Sequence, residues 1–372
     1  MQKSLEILKQ YWGYNTFRKP QDEIIESIST GNDTLVILPT GGGKSLCYQV
    51  PALMQDGITI VISPLIALMK DQVERLQKQG IKAMAIFSGL SHHEIDVALD
   101  NAVYGDIKLL YVSPERLETD IFIARVQKMN VNLIAIDEAH CISQWGYDFR
   151  PSYQKINALR DLLPNVPLIA LTASATLKVR NDIIEKLNMQ DVKVFTKSFS
   201  RNNISFVTRK VENKAAKLLE VLSKLGGAGI LYVRSRRKTK ELSDFLNENK
   251  FNATFYHAGL EPNIRNERQE KWMKGEVAIM VCTNAFGMGI DKSNVRFVIH
   301  WDIPNALEAY YQEAGRAGRD GKMSYAVLLY NEQNIGNLKA EVTKRFPELS
   351  VIKSIYNAIC NHLKVAIHNG YM

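Results

Sequence analysis

Four short apolar runs in the first half of the chain, Ile58-Thr-Ile-Val-Ile62, Leu109-Leu-Tyr-Val112, Leu133-Ile-Ala-Ile136 and Leu168-Ile-Ala-Leu171, are separated by helical periodicities such as 65–79 and 91–104. Strands that alternate with helices form a parallel sheet covered on both faces, which is why such strands read as apolar throughout. A second train repeats the rhythm: a strand over 229–233, a helix over 238–249, a unit starting at Thr254-Phe-Tyr-His257, and strands over 277–282, 295–299 and 325–330. A chain of 372 residues exceeds one ordinary core. The expected class is therefore α/β, with two tandem domains over 1–207 and 208–335, each a mostly parallel sheet flanked by helices. Residues 197–214 lose the rhythm and read as the connection. A helical extension over 336–372 follows. Beyond Tyr330, amphipathic stripes (Ile335, Leu338, Val342; Val351, Ile355, Ile359, Leu363, Ile367) read as helices packing on the second domain.

In sheets of this kind ligands gather beyond the carboxyl ends of the strands. The four runs end there in polar clusters: Ser63-Pro64, Ser113-Pro-Glu-Arg116, Asp137-Glu138-Ala-His140 and Thr172-Ala-Ser-Ala-Thr176. Ahead of them, Thr34-Leu-Val-Ile-Leu38 leads into Pro39-Thr40-Gly41-Gly42-Gly43-Lys44-Ser45 and a helix start at Leu46. The glycines let several N–H groups face one point, and the helix N-terminus adds partial positive charge. Lys44 would reach the β/γ-phosphates of a nucleotide, and the Ser45 hydroxyl would take a Mg²⁺. Leu38 stands where the strict phosphate-loop pattern has glycine. Asp137 can hold the same cation through its water shell, and Glu138 can orient and deprotonate an attacking water. Upstream, the Gln21 amide can match the edge of adenine, and Tyr14 and Arg18 supply planar groups for stacking.

After the acidic pair, residues 141–153 place Trp145, Tyr147, Phe149 and Tyr153 among polar neighbours with Arg150. This is either a buried loop or a platform on which bases stack. In the second half, Tyr311-Gln312-Glu313-Ala-Gly315-Arg316-Ala-Gly318-Arg319 puts two arginines on neighbouring turns of one helical face. An arginine from outside a phosphate cradle can neutralise charge growing on a γ-phosphoryl group. The second train has no glycine-lysine loop and no acidic pair, so it would complete one site without building another.

Composition narrows the classes. The 46% apolar and 23% charged fractions describe a soluble globular chain, and no apolar run is long enough to span a bilayer. The start, Met1-Gln-Lys-Ser-Leu-Glu, has no signal-peptide core. Four cysteines stand far apart with no C-x-x-C pair, which argues against a disulfide framework or a structural zinc and fits a reducing compartment. The net charge of +8 suits a polyanionic partner.

On Phe17-Arg18 with Gln21, Thr40–Ser45, Ser63-Pro-Leu-Ile-Ala-Leu-Met-Lys-Asp-Gln72, Asp137–His140, the aromatic-rich loop and Leu171–Thr176, the chain resembles superfamily 2 helicases of the RecQ family over about residues 8–330. That family also carries residues like Leu38 at the departure noted above. The resemblance implies two RecA-like domains that bind ATP and Mg²⁺ between them and move 3′→5′ on DNA. It puts Trp145, Phe149 and Arg150 on the single strand and makes Ser174 and Thr176 coupling residues. Ser63, Arg116, Arg234, Ser235, His257 and Thr283 become strand-end candidates for the DNA backbone, and Gly289 and Asp291 belong to a nucleotide-sensing segment. Gln312 opens the matching Q-x-x-G-R-x-x-R pattern, with Arg319 the first choice of finger and Arg316 the second. The expected partners are single-stranded DNA and tailed or forked duplexes. No membrane and no zinc are expected, and the protein is read as a monomer working in the cytoplasm, at a nucleoid or in a nucleus, in DNA repair and recombination. Family members commonly continue into a four-cysteine zinc module and a winged helix. A motor that translocates without unwinding, an RNA-directed helicase and a nucleotide-switched scaffold are the rival readings.

Overall fold

The structure is a computed structural model, and it describes residues 2–146, 148–173, 175–198, 200–286 and 292–364. Strands β1 (Thr34–Ile37), β2 (Ile58–Ile62), β3 (Ala83–Ile86), β4 (Leu109–Val112), β5 (Val131–Ile136), β6 (Leu168–Thr172) and β7 (Lys193–Thr196) form the first sheet, in the order β3-β4-β2-β5-β6-β1-β7. The second contains β8 (Ile204–Lys210), β9 (Ala228–Tyr232), β10 (Ala253–Tyr256), β11 (Ile279–Cys282), β12 (Val295–His300) and β13 (Ser324–Tyr330), in the order β10-β11-β9-β12-β13-β8. Every pairing in both sheets is parallel. The loops after β1, β2, β4, β5 and β6 therefore share one edge of the first sheet.

Side-chain alternation explains why the strands are apolar throughout. Leu35, Ile60, Ile62, Ile134 and Ile136 pack in the core on one face, while Val36, Val61, Leu133 and Ala135 pack on the other. The second sheet divides the same way, with Ile230, Met280 and Val298 opposite Leu231, Val281 and Ile299. Each fully buried side chain of this size contributes about 1.5–3 kcal/mol. A buried ion pair fixes the entrance to β1. Asp33 accepts from Arg160 Nη2 at 2.8 Å and from the backbone N–H groups of Leu168 (2.9 Å) and Gln190 (2.8 Å), so three segments meet on one carboxylate.

Three strands depart from the expectation. β3 is alanine-rich, and β7 (Lys-Val-Phe-Thr) is flanked by exposed polar ends, so neither reads as a continuous apolar run. β8 lies within the stretch expected to be a connection. It pairs with β13 from Ile204↔Ser324 to Lys210↔Tyr330, and a boundary after residue 207 would cut through it. An edge strand buried on one side only alternates in polarity, which is why 204–210 reads as a linker.

The extension is helical, over Glu332–Arg345 and Leu349–Leu363, but of the stripes expected to pack on the second domain only Ile335 and Leu338 are half-buried among the described residues. The first helix buries no residue and is tied by polar contacts, with Glu341 bound to Arg234 at 2.6 Å and to Asn305 at 2.9 Å. Val351, Ile355, Ile359 and Leu363 stay exposed on the second helix, because no apolar surface among the described residues covers them. Ile367 lies outside the described residues.

Candidate active site

The phosphate loop forms as the glycines require. Gly41 and Gly43 take φ of +80° and +76°, and the helix Leu46–Met54 begins directly after Ser45. Gln21, only 2% exposed, holds this loop: its Nε2 donates to the Gly43 carbonyl at 3.0 Å, and its Oε1 accepts from the Arg18 N–H at 2.9 Å. A Cβ on Gly43 would lie 2.3 Å from Gln21 Nε2. The amide expected to read adenine thus spends half its capacity shaping the loop, leaving one N–H and one lone pair for a base. Tyr14 and Arg18 stand at the rim of the same cleft. Lys44 Nζ donates to the Leu38 carbonyl at 3.1 Å. Enclosure lowers its pKa, Arg319 adds to that lowering, and Glu138 and Asp137 oppose it.

The acidic pair closes the other wall. Asp137 follows β5, its N–H donating to the Ile62 carbonyl at 2.9 Å and its carbonyl accepting from the Tyr153 hydroxyl at 2.7 Å. Burial pushes the Asp137 carboxyl up to about 7, with the neighbouring Glu138 adding to the effect and Lys44 opposing it. Glu138 is likewise raised by burial, against the pull of Lys44 and Arg316. Its φ of +48° is left-handed, a strain of about 1–3 kcal/mol of the kind concentrated at functional sites. His140 Nδ1 lies 2.9 Å from Thr172 Oγ1 and 3.3 Å from Glu138 Oε2, and burial lowers its pKa to about 4, so the ring is neutral. A hydroxyl at Ser45 that caps no helix N–H, together with the Asp137 carboxylate, forms an oxygen donor set that fits a hard cation such as Mg²⁺. His140, Cys141 and Asp148 also place ligand-type atoms within 4.8 Å of one another. However, Asp148 is bound by Arg150 at 3.0 Å and burial raises the Cys141 thiol, so this group reads as a polar hub of the loop.

The second domain supplies the facing bank. A single cleft of about 810 Å³ is lined by Lys44, Ser45, Asp137 and Glu138 from one side and by Ser293, Gln312, Arg316, Arg319 and Asp320 from the other. The stem of Arg319 packs on the glycine loop, its Cγ 3.4 Å from the Cβ position of Gly41. Both arginines named from the pattern reach the cavity, together with Gln312, but they do so from the turn after the helix Leu307–Ala314 and not from the helical face expected, because the chain leaves the helix at Gly315 and Gly318 takes φ +60°. Thr40 and Gly42 complete the loop. Gly289 and Asp291 lie outside the described residues, as does Ser174.

The residues expected on DNA divide into two groups. Trp145 is 63% exposed, with Lys178 Nζ 3.1 Å from its ring centroid. Phe149, further along the same loop, is half-buried. Arg150 turns inward, donating to the Pro64 carbonyl at 3.0 Å as well as to Asp148, so in this conformation it anchors the loop to the end of β2. Ser63 and Thr283 are buried at strand ends, 1% and 8% exposed. Arg116 donates to the Phe87 carbonyl at 3.4 Å, and Arg234 is paired with Glu341. His257 stacks on Phe255 with centroids 5.9 Å apart. Ser235 and Thr176 cap the helices that follow them.

Sequence reasoning missed Arg201, Asn203, Thr172 as a partner of His140, and Lys178. Arg201 and Asn203 stand in the stretch between β7 and β8, where no periodicity marks a side chain as inward, and their partners are main-chain carbonyls over a hundred residues away.

Residues 18–183 match the description DEAD/DEAH box helicase, and residues 213–321 match the helicase conserved C-terminal domain. The ATP-dependent DNA helicase RecQ of Bacillus subtilis is 48% identical over 338 residues, covering 90% of this chain and 57% of that protein. The ATP-dependent DNA helicase RecQ of Synechocystis is 40% identical over 337 residues, covering 88% of this chain and 70% of that one. Among solved structures, the DUF1998 helicase MrfA bound to DNA shares the fold, with a TM-score of 0.73 at 18% identity over 88% of this chain and 51% of that chain. The chain spans little more than half the length of several curated relatives. With 40% identity over 88% of this chain and 70% of the Synechocystis protein, the chain belongs to the RecQ family of superfamily 2 helicases.

Proposed function

We propose that this chain is an ATP-driven DNA motor, a helicase core that moves 3′→5′ along a single strand and parts the duplex ahead of it. The observation that carries the reading is the one cleft shared by Lys44, Ser45, Asp137 and Glu138 with Gln312, Arg316 and Arg319. The adenine would rest against Tyr14, Arg18 and Gln21, and the triphosphate on the N–H groups of Thr40–Ser45. Ser45 and, partly through water, Asp137 would hold Mg²⁺, which when bound neutralises charge on the β- and γ-phosphates. Lys44 leaves the Leu38 carbonyl for the phosphates. Glu138, with its raised pKa, orients the attacking water and takes its proton. Arg319, assisted by Arg316, meets the charge that grows on the γ-phosphoryl oxygens.

Because one bank supplies the cradle and the other the arginines, bound ATP favours closure, and loss of the γ-phosphate relaxes it. A strand gripped by Trp145 and Phe149 on one domain and by the strand-end residues Arg234, His257 and Thr283 on the other would be drawn along with each cycle. The hydrogen bond between His140 and Thr172 links the acidic pair to the segment leading to Thr176, a route by which strand contact reaches the water-positioning carboxylate. The names of the relatives favour DNA over RNA. The protein acts as a monomer on single-stranded, tailed and forked DNA of the nucleoid or nucleus.

The test is strand displacement from 3′-tailed, 5′-tailed and RNA duplexes with Mg²⁺ and ATP. Displacement confined to the 3′-tailed DNA is expected. DNA-stimulated turnover without displacement would reduce the reading to a translocase, and preferential stimulation by RNA would overturn the choice of strand.

A further inference from the structure

We infer that Arg201, in the strap between the two sheets, is a positioning residue that sets the reach of Arg316 and Arg319 into the cleft. The inference rests on reading that cleft as an ATPase site. The Arg201 guanidinium donates from Nη2 to the carbonyls of Ala317 and Gly318, both at 3.0 Å, and from Nη1 to the carbonyls of Gly315 at 3.1 Å and Thr40 at 3.4 Å. Gly315, Ala317 and Gly318 form the turn after the helix Leu307–Ala314, and this turn carries both arginines. A helix end leaves carbonyls without intrahelical partners and concentrates negative charge, so a cation is favoured there. A planar fork can hold three such carbonyls in fixed relation, which a lysine ammonium cannot do.

Two further features tie the turn to the strap. Asn203 Nδ2 donates to the carbonyls of Gly318 at 2.7 Å and Lys322 at 3.0 Å. Gly318 has φ +60°, and a Cβ there would lie 2.4 Å from Asn203 Nδ2, so the turn is shaped to receive that amide. The Thr40 contact extends the same guanidinium to the first residue of the opposing phosphate loop. One side chain of the connection therefore touches both banks, and the separation of Arg319 from the triphosphate is set where the domains are joined.

The experiment is a double-mutant cycle on steady-state ATP hydrolysis with the full chain, comparing Arg201→Ala, Arg319→Ala and the double variant, with Arg201→Lys as the conservative change. Displacement of a catalytic group by about an ångström costs on the order of 10²-fold. Arg201→Ala should therefore lower kcat by about 10- to 100-fold with KM for ATP changed less than about threefold, and lysine should restore little. In the Arg319→Ala background the second substitution should add nothing. Asn203→Ala, which removes two bonds to the same turn, should lower kcat in the same direction, and it carries the test if Arg201→Ala unfolds. Unchanged kcat in both Arg201→Ala and Asn203→Ala, or losses that multiply in the double variant, would overturn the inference. An unaltered protein without turnover would instead overturn the reading of the cleft, and this inference with it.

Discussion

Replacing Trp145 by alanine puts a number on the DNA face. The indole is 63% exposed and Lys178 Nζ sits 3.1 Å from its centroid. A cation–π contact at an exposed site contributes about 0.5–1 kcal/mol. A nucleobase stacked on the ring contributes about 1–3 kcal/mol, but it must first displace the lysine. The net gain on binding is then about 0.5–2 kcal/mol, which corresponds to a loss of about 2- to 30-fold in single-strand affinity for Trp145→Ala. Trp145 is not part of the cleft lining around Lys44, so turnover without DNA should stay within about twofold while DNA stimulation falls. Fluorescence anisotropy of a labelled oligothymidylate, beside coupled ATPase assays with and without DNA, reads both quantities. Lys178→Ala separates the two partners: it frees the ring but removes a cation, so the slope of affinity against salt should drop by about one counterion. Equal loss of basal and stimulated turnover in Trp145→Ala would make the loop structural, and unaltered affinity would mean that no base stacks there.

Lys44→Ala should abolish hydrolysis while shifting the melting temperature little, because its ammonium donates to the Leu38 carbonyl, a group at the loop's own edge; DNA-stimulated turnover in that variant would count against the phosphate loop. Gly43→Ala and Gly80→Ala form a matched pair at φ of +76° and +80°, the first 2.3 Å from Gln21 Nε2 and the second in open space. Both should lose about 1–2 kcal/mol of stability to backbone strain. Only the first should also weaken nucleotide binding, as a fluorescent ATP analogue would report. Asp33→Ala leaves Arg160 buried without its carboxylate and strips acceptors from Leu168 and Gln190, so urea unfolding should show a loss of about 3–5 kcal/mol with nucleotide affinity retained. A loss below about 1 kcal/mol would mean that the pair is screened.

The fold was legible wherever a strand is buried on both faces, since Ile58–Ile62 or Leu168–Leu171 can hardly be anything else. It was illegible at three sheet edges, β3, β7 and β8, which lack that pressure, while the fourth edge, β10, was read from Thr254-Phe-Tyr. The site was legible where chemistry needs particular residues in sequence, as at Gly41–Ser45 and Asp137-Glu138, because motif spacing and local geometry coincide there; Arg316 and Arg319 were found by their pattern, although a turn and not the expected helical face carries them. Gln21 was found for a base and is seen holding Gly43; a residue type gives its hydrogen-bonding capacity but not which partner takes it. Arg150 was found for the strand and is seen bracing the loop on Pro64, for the same reason. Arg201 could not be found at all, because a side chain that caps distant carbonyls leaves no pattern in its own neighbourhood. The exposed stripe of Leu349–Leu363 shows the converse, a clear amphipathic signal with no partner surface among the described residues.

The central claim is that one triphosphate pocket is divided between two domains, with the cradle on one and the arginine on the other. The most direct measurement is ATP turnover by Arg319→Ala at saturating single-stranded DNA, with ATP affinity determined in parallel. The account predicts that kcat falls by about 10³-fold or more while ATP binds nearly as before, since the guanidinium acts on charge that appears in the transition state. Turnover within a few-fold of the unaltered protein would show that the first domain hydrolyses ATP without help from across the cleft, and would contradict the account.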